Sequence, residues 1–286
     1  MMGKRLQIGY NILIGKEKMC HEKGQRGIYM KANYHTHTSR CHHATETERE
    51  YIEAAIENGI QVLGFSDHTP YLFDDQHSQH IRMRMNELDG YITTILDLKK
   101  EYEKDIELHV GLEVEYFPKY FDEIYEELKQ YPLEYFLLAG HWYGNSHKLD
   151  PYFGIYTENP EMLHNYYEQL TEGMKRGCFT YVAHPDLINF PSENTLYEDT
   201  MRKLCRVANE CDLPLEINLR GVRTHKQYPN PDFWRIAGEE NCKVVIGIDA
   251  HSVDEMNYQE AYQVAMGYVE KYHLQLLEDV ELKKPI

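Results

Sequence analysis

Short runs of β-branched and aromatic residues alternate with longer amphipathic stretches along most of this chain: ANYHTH, QVLGFSDH, IELHVGLEVEY, YFLLAGHWY, CFTYVAHPD, PLEINLRG and KVVIGIDAH. Runs of this length and make-up read as buried parallel strands. The stretches between them read as helices. ETEREYIEAAIENG closes on an Asn-Gly suited to a C-cap, and ELDGYITTILDLKKEYEK, YFDEIYEELKQY, PEMLHNYYEQLTEGMKRG and YEDTMRKLCRVANECD share its style. Strand alternating with helix calls for a parallel sheet with right-handed crossovers. The count implies a (β/α) barrel one strand short of the usual eight, and a hidden eighth strand keeps a distorted eight-stranded barrel open.

The polar residues fall where these runs end. In order they are His35 and His37, His68, Glu113, His141, His184, Glu216 with Asn218, then Asp249 and His251. In a closed (β/α) barrel the C-terminal strand ends converge on one face. Residues spread over more than two hundred positions therefore point into one basin. A single strand-terminal histidine is ordinary structure, but metal-ligand residue types at almost every end predict a metal site. Glu115, two residues after Glu113, shares its face of the strand. It meets either a cationic group of a substrate or a ligand that it orients.

Composition narrows the function. A chain of 286 residues holds one large α/β domain or two ordinary ones, and 42% apolar content suffices for a sizeable core. The formal net charge of −17 disfavours nucleic acid as a partner, because duplex binding draws on clustered Lys and Arg. It is compatible with a small phosphorylated metabolite, since bound divalent cations reverse the local field. Cys20, Cys41, Cys178, Cys205, Cys211 and Cys242 form no CxxC pair and read as reduced thiols of a cytoplasmic protein. No apolar run approaches the roughly 20 residues that span a bilayer, so no membrane association is expected. MMGKRLQIGYNILIGKEKMC has a basic start and an apolar patch, but polar residues and glycines interrupt it and no small-residue cleavage site follows. Residues 1–29 are expected to be a dispensable extension, and residues 30–286 a single barrel domain beginning at Met30.

The ordered set HTHTSRCHHA, GFSDH, GLEVEY, AGHWY, AHPD and GIDAH resembles the successive motifs of the polymerase and histidinol phosphatase (PHP) superfamily, from about Tyr34 to His251. LEINLRGVRTHKQYP and RMNELDGYI look like the PHP-type histidinol-phosphate phosphatases. The resemblance implies a distorted (β/α)7 TIM-like barrel, the PHP fold, holding three divalent metal ions. Carried over motif by motif, His35, His37, Glu113 and Asp249 hold the first ion. Glu113 bridges to a second, joined by His141 and His184. His68, His251 and His43 share the third. The family position just before the Ala falls on His43, which leaves His42 spare and Cys41 out of the ligand set. Mixed imidazole and carboxylate donors suit zinc, iron or manganese better than magnesium.

The chemistry implied is hydrolysis of a phosphomonoester by a metal-bridging hydroxide, most naturally of L-histidinol phosphate in histidine biosynthesis. Catalytic roles fall to Glu113, Asp249 and His251, with Asp249 either handling the proton or serving as a ligand alone. Arg223 matches the arginine after the EIN strand of these phosphatases and suits phosphate. Arg84 is a second candidate, though the double RM leaves its register with Arg82 ambiguous, and Arg220 reads as surface. Trp142 and Tyr143 either wall a substrate pocket or pack. His77 and His80 sit in a lid or surface segment, while His109, His147, His164, His225 and His273 read as structural or solvent-facing. Other readings are a PHP-type esterase for another small phosphate ester, nucleotide or cyclic phosphate, and a non-catalytic metal-binding protein. The LAGHWYG motif stands where many histidinol phosphatases carry a Ser-Val-His type of sequence, which bears on substrate more than on metal.

Overall fold

The computed structural model describes residues 29–73, 81–143 and 151–285. The expected N-terminal extension, apart from Tyr29, lies outside the described residues, as do Cys20, His77, His80 and His147.

The strands are β1 (Ala32–Asn33), β2 (Val62–His68), β3 (Glu107–Glu115), β4 (Tyr135–Ala139), β5 (Tyr181–Val182), β6 (Leu215–Asn218), β7 (Lys243–Gly247) and β8 (Gln275–Leu276). All pair in parallel and in sequence order. The helices between them are α1 (Glu48–Glu57), α2 (Leu88–Glu101), α3 (Phe121–Leu128), α4 (Pro160–Lys175), α5 (Thr195–Glu210), α6 (Leu219–Arg223), α7 (Pro231–Glu239) and α8 (Gln259–Tyr272). Their starts follow local chemistry. Thr47 and Glu50 form a capping box on α1, and Asn159, Asn194 and Asn230 cap α4, α5 and α7.

The expected seven-stranded barrel is present, with one strand more than the sequence suggested. β8 pairs with the start of β7, Lys243 opposite Gln275 and Val244 opposite Leu276. Beyond the other end of β7 the chain meets β1 instead: Thr36 bridges Ala250 in parallel. There the His37 N–H donates to the Ala250 carbonyl at 2.9 Å and the Asp249 N–H to the His35 carbonyl at 2.9 Å. Seven strands thus close at the C-terminal end, while β8 occupies the seam at the N-terminal end.

Two apolar layers result. The larger fills the space between sheet and helices. A smaller one fills the barrel with Tyr34, Tyr135, Leu137, Tyr181 and Val245, and Leu277, Val280 and Leu282 of the C-terminal tail pack onto it. The tail is fixed by Asp279, which accepts from the Tyr34 hydroxyl at 2.6 Å and pairs with Lys31 at 2.8 Å. Tyr135 spans the interior, its hydroxyl donating toward the carbonyls of Tyr34 (2.8 Å) and Phe65 (3.0 Å). Its ring fits because β3 carries Gly111 opposite it: a Cβ there would lie 2.6 Å from the Tyr135 ring and 2.6 Å from its carbonyl oxygen. Gly111→Ala should therefore overpack the interior and lower unfolding free energy by about 1–3 kcal/mol, read from urea denaturation.

Candidate metal centre

β3 places the central group. Leu108, Val110, Leu112 and Val114 face the helices, so alternation turns Glu113 and Glu115 into the barrel, where each is 1% exposed. Imidazoles from four other strand ends surround Glu113. His68 Nδ1 lies 2.7 Å from its Oε2, and His184 Nε2 2.9 Å from its Oε1. His35 Nε2 and His141 Nε2 each stand 3.5 Å from Oε1, and His37 Nε2 3.6 Å from Oε2. Asp249 Oδ1 joins from the seam, 3.3 Å from His37 Nε2, 3.7 Å from His35 Nε2 and 3.3 Å from His251 Nδ1. Asp249 and His184 hold φ of 53° and 30°, left-handed values uncommon for side-chain-bearing residues. Such strain persists where the surrounding structure fixes it.

The division of labour between His42 and His43 is a matter of backbone. A 3-10 turn over Ser39–Cys41 ends at His42 with φ 65°, which reverses the chain. His42 is left exposed, while His43 Nε2 comes 3.0 Å from His251 Nε2. The Cys41 carbonyl, 2.8 Å from His43 Nδ1, takes the outer nitrogen and leaves Nε2 facing the site.

The same device recurs around the centre. His35 Nδ1 lies 2.8 Å from Glu216 Oε1, and His141 Nδ1 3.2 Å from Glu115 Oε1. His37 Nδ1 is 3.5 Å from Asp67 Oδ1. Glu216 also accepts from the His184 N–H (3.0 Å) and from Asn218 Nδ2 (2.9 Å), which in turn donates to Asp249 Oδ2 (3.1 Å). Gly247 makes room for this carboxylate, since a Cβ there would overlap it.

The electrostatics are those of a crowded site. Burial opposes charge on Glu113, but His141, His68 and His35 outweigh it and hold the carboxyl well below its usual range. Asp249 is held low against burial chiefly by His35. Against the same burial, Glu216 and Asp249 lift His35, and the nearby carboxylates of Asp249 and Asp67 lift His37 to about 9. Burial pushes His68, His43 and His251 down, His251 to about 3, with His37 adding to the fall of His43 and His251. Several inward atoms, His35 Nε2, His37 Nε2 and Asp249 Oδ1 among them, are buried without a hydrogen-bond partner. Orphaned buried donors and acceptors are costly. Donor atoms of His35, His37 and Glu113, of His68, Glu113 and His141, and of His43, His68 and His251 cluster within 4.8 Å. The residues present fit divalent cations: imidazole and carboxylate donors crowded on one point, with His35, His37, His43 and His141 steadied from behind.

A cavity of about 170 Å³ opens onto this cluster. Trp142, Tyr152, Leu187 and Tyr228 form an apolar wall, and Arg82, Arg220 and Glu115 add charge. The arginines take different places. Arg84 is exposed and opens the 3-10 turn at Met85–Glu87, whereas Arg82 is buried on the wall, its Nη2 2.7 Å from Glu115 Oε2. Arg223 is half-buried beside the cavity, its Nη2 donating to the Ile248 carbonyl at 2.8 Å while Nε and Nη1 are buried without a hydrogen-bond partner. Arg220, read as surface, lines it instead. Glu115 takes the orienting place, holding His141 and Arg82. Trp142 lines the cavity, and Tyr143 packs near Phe153 with ring centroids 6.3 Å apart. His109 pairs with Glu134 and Glu107, and His164, His225 and His273 are exposed, as expected. Cys41 comes closer than expected: its sulfur clusters with His37 and His251, though burial pushes its thiol up.

Sequence reasoning missed Asp67, Tyr152 and Tyr228. Asp67 sits beside His68 in GFSDH, where it accepts from the N–H groups of His68 (2.7 Å) and Thr38 (3.2 Å). That adjacency was the signal available. Tyr152 and Tyr228 come from irregular segments without a period to read.

The PHP domain model matches residues 33–220. A Deinococcus radiodurans protein named a probable histidinol-phosphatase is 30% identical over 235 residues, covering 79% of this chain and 88% of the relative. A Schizosaccharomyces pombe protein of the same name is 24% identical, with 85% and 87% coverage. Among solved structures, the histidinol phosphate phosphatase of Lactococcus lactis, in complex with zinc, L-histidinol and phosphate, superposes with a TM-score of 0.68 at 17% identity. That alignment covers 88% of this chain and 99% of the other.

If Glu216 orients His35, Glu216→Gln should weaken metal affinity roughly 10–100-fold while the fold persists. Metal titration of the stripped variant, alongside circular dichroism, measures this.

Proposed function

The chain belongs to the PHP domain family, and from that premise we propose that it is a metal-dependent phosphatase of small phosphomonoesters whose substrate is L-histidinol phosphate. The observation that carries this reading is the convergence of His37, His43, His68, Glu113, His141, His184, Asp249 and His251 from across the barrel onto one cavity, with His35 clustered behind them. Likeness over most of the chain to relatives named for that reaction supports the substrate.

We assign three divalent ions, of zinc, iron or manganese, to these donors: His35, His37, Glu113 and Asp249 for the first, Glu113, His141 and His184 for the second, His43, His68 and His251 for the third. Such ions supply charge neutralisation for phosphoryl oxygens and lower the pKa of water. The chain's part is to hold the ester. Glu113 is shared between two sets of imidazoles, which fixes their spacing. Asp249 Oδ1, ionised and facing His37 and His251, is the atom we assign to take a proton from the attacking water and pass it to the departing alkoxide. Trp142, Tyr152 and Tyr228 exclude water from the organic half of the substrate. The net reaction is R–O–PO₃²⁻ plus water giving R–OH and hydrogen phosphate. The buried free thiols of Cys41, Cys178, Cys205 and Cys242 support a reducing compartment, the cytoplasm.

Steady-state assays of the purified, metal-analysed protein on a panel of phosphomonoesters should give the highest kcat/KM for histidinol phosphate. A value no better than for generic esters would refute that substrate. In the same preparation, His43→Ala should lose about one metal equivalent and most activity, while His42→Ala should change little.

A further inference from the structure

The segment after β5 does more than carry His184. It is buried from His184 to Ile188, and Tyr166 of α4 fixes it, its hydroxyl donating to the Pro185 carbonyl at 3.0 Å. Two loops hang on this segment. The Asn189 N–H donates to the Phe153 carbonyl at 2.9 Å, and Asn189 Nδ2 to the Gly154 carbonyl at 3.3 Å. From the other side the Asn230 N–H donates to Asp186 Oδ2 at 2.6 Å, and Gln227 Nε2 bonds the Leu187 carbonyl. Tyr152, Leu187 and Tyr228, three of the four apolar wall residues, are thus carried on one support.

Asp186 stands apart from the metal donors. It is 0% exposed, belongs to none of the donor clusters of the described residues and does not line the cavity. A buried carboxyl group is costly, so the partner it holds shows its use. That partner is a backbone N–H two residues beyond Tyr228, and Oδ1 is buried without a partner, so the anchoring falls to Oδ2. Tyr228 is enclosed on its other sides. It packs so closely on Gly221 that a Cβ there would overlap its carbonyl and ring, and Tyr268 donates to the neighbouring Pro229 carbonyl at 3.1 Å. Its ring lies 6.0 Å from that of His184 and borders the cavity. A ring already fixed loses no further freedom when a ligand packs on it.

We propose that Asp186 is a positioning residue for substrate specificity: it holds Tyr228 as a preformed wall for the organic half of the ester, separately from phosphate binding at the metals. The group recognised there is a small aromatic or cationic one, which packs on a phenol face. This rests on the phosphatase reading.

The test compares Asp186→Ala and Asp186→Asn with the parent, each as the metal-loaded full chain. Asp186→Asn keeps an acceptor for the Asn230 N–H and should resemble the parent. In Asp186→Ala, amide hydrogen exchange over residues 224–230 should accelerate. The calorimetric Kd for L-histidinol should rise roughly 10-fold, while metal content and the Kd for inorganic phosphate stay unchanged. On a Tyr228→Ala background, Asp186→Ala should add little, because both act through one contact. Unchanged exchange, unchanged histidinol affinity, full additivity with Tyr228→Ala, or loss of metal each overturns the proposal. If Asp186→Ala does not fold, Gln227→Ala, which cuts the second tie of the same loop, carries the same expectations at smaller size. A parent that binds phosphate but no histidinol refutes that substrate. Exchange, and the affinity for the best ester of the panel, then decide the role of Asp186.

Discussion

The carboxylate of Glu113 sits at the barrel axis with five imidazoles within 3.6 Å of its oxygens. A buried charge survives only with partners, and here the partners are histidines that compete among themselves for protons. The carboxylates push His35, His37 and His141 up, and burial pushes His68, His43 and His251 down. Proteins alone resolve such crowding poorly, and divalent cations resolve it well. The rest of the architecture serves this point. β3 is the longest strand, Glu107–Glu115, paired on both sides, so that Glu113 is held from a rigid element and not from a loop.

Around that point runs a second circle of groups whose work is orientation. Glu216 steadies His35, Glu115 steadies His141, and the Cys41 carbonyl steadies His43. Each fixes which ring nitrogen faces inward, and this decides whether an imidazole is a donor or a bystander. Small residues matter as much as charged ones: without Gly247 there is no space for the Glu216 carboxylate, and His35 would lose its anchor.

Much of this was legible in the sequence, for a physical reason. Parallel strands are short, so their ends recur at helix-plus-loop intervals, and polar residues at those ends stand out against apolar runs. The strand ends from His35 to His251 did converge. What stayed hidden lacked a period. β8 is two residues, Gln275–Leu276, with no β-branched run to announce it. Arg220 and Arg223 lie on a five-residue helix, where three positions decide between cavity and backbone. The choice of Arg82 over Arg84 turns on an irregular segment before α2. The setting of His43 depends on a left-handed His42, which residue type alone does not specify.

The seam between β1 and β7 has a consequence for biosynthesis. Asn33 and Ile248, bonded at 2.8 Å, are 215 positions apart in the chain. His35 and Asp249 face each other across that junction and exchange backbone contact through it. A ribosome must release nearly the whole barrel before these two walls can meet, and joining chain so distant is the entropically expensive step. Donor sets that include Asp249 are therefore completed last, and an ion held there would act as a clasp on the last contact to form.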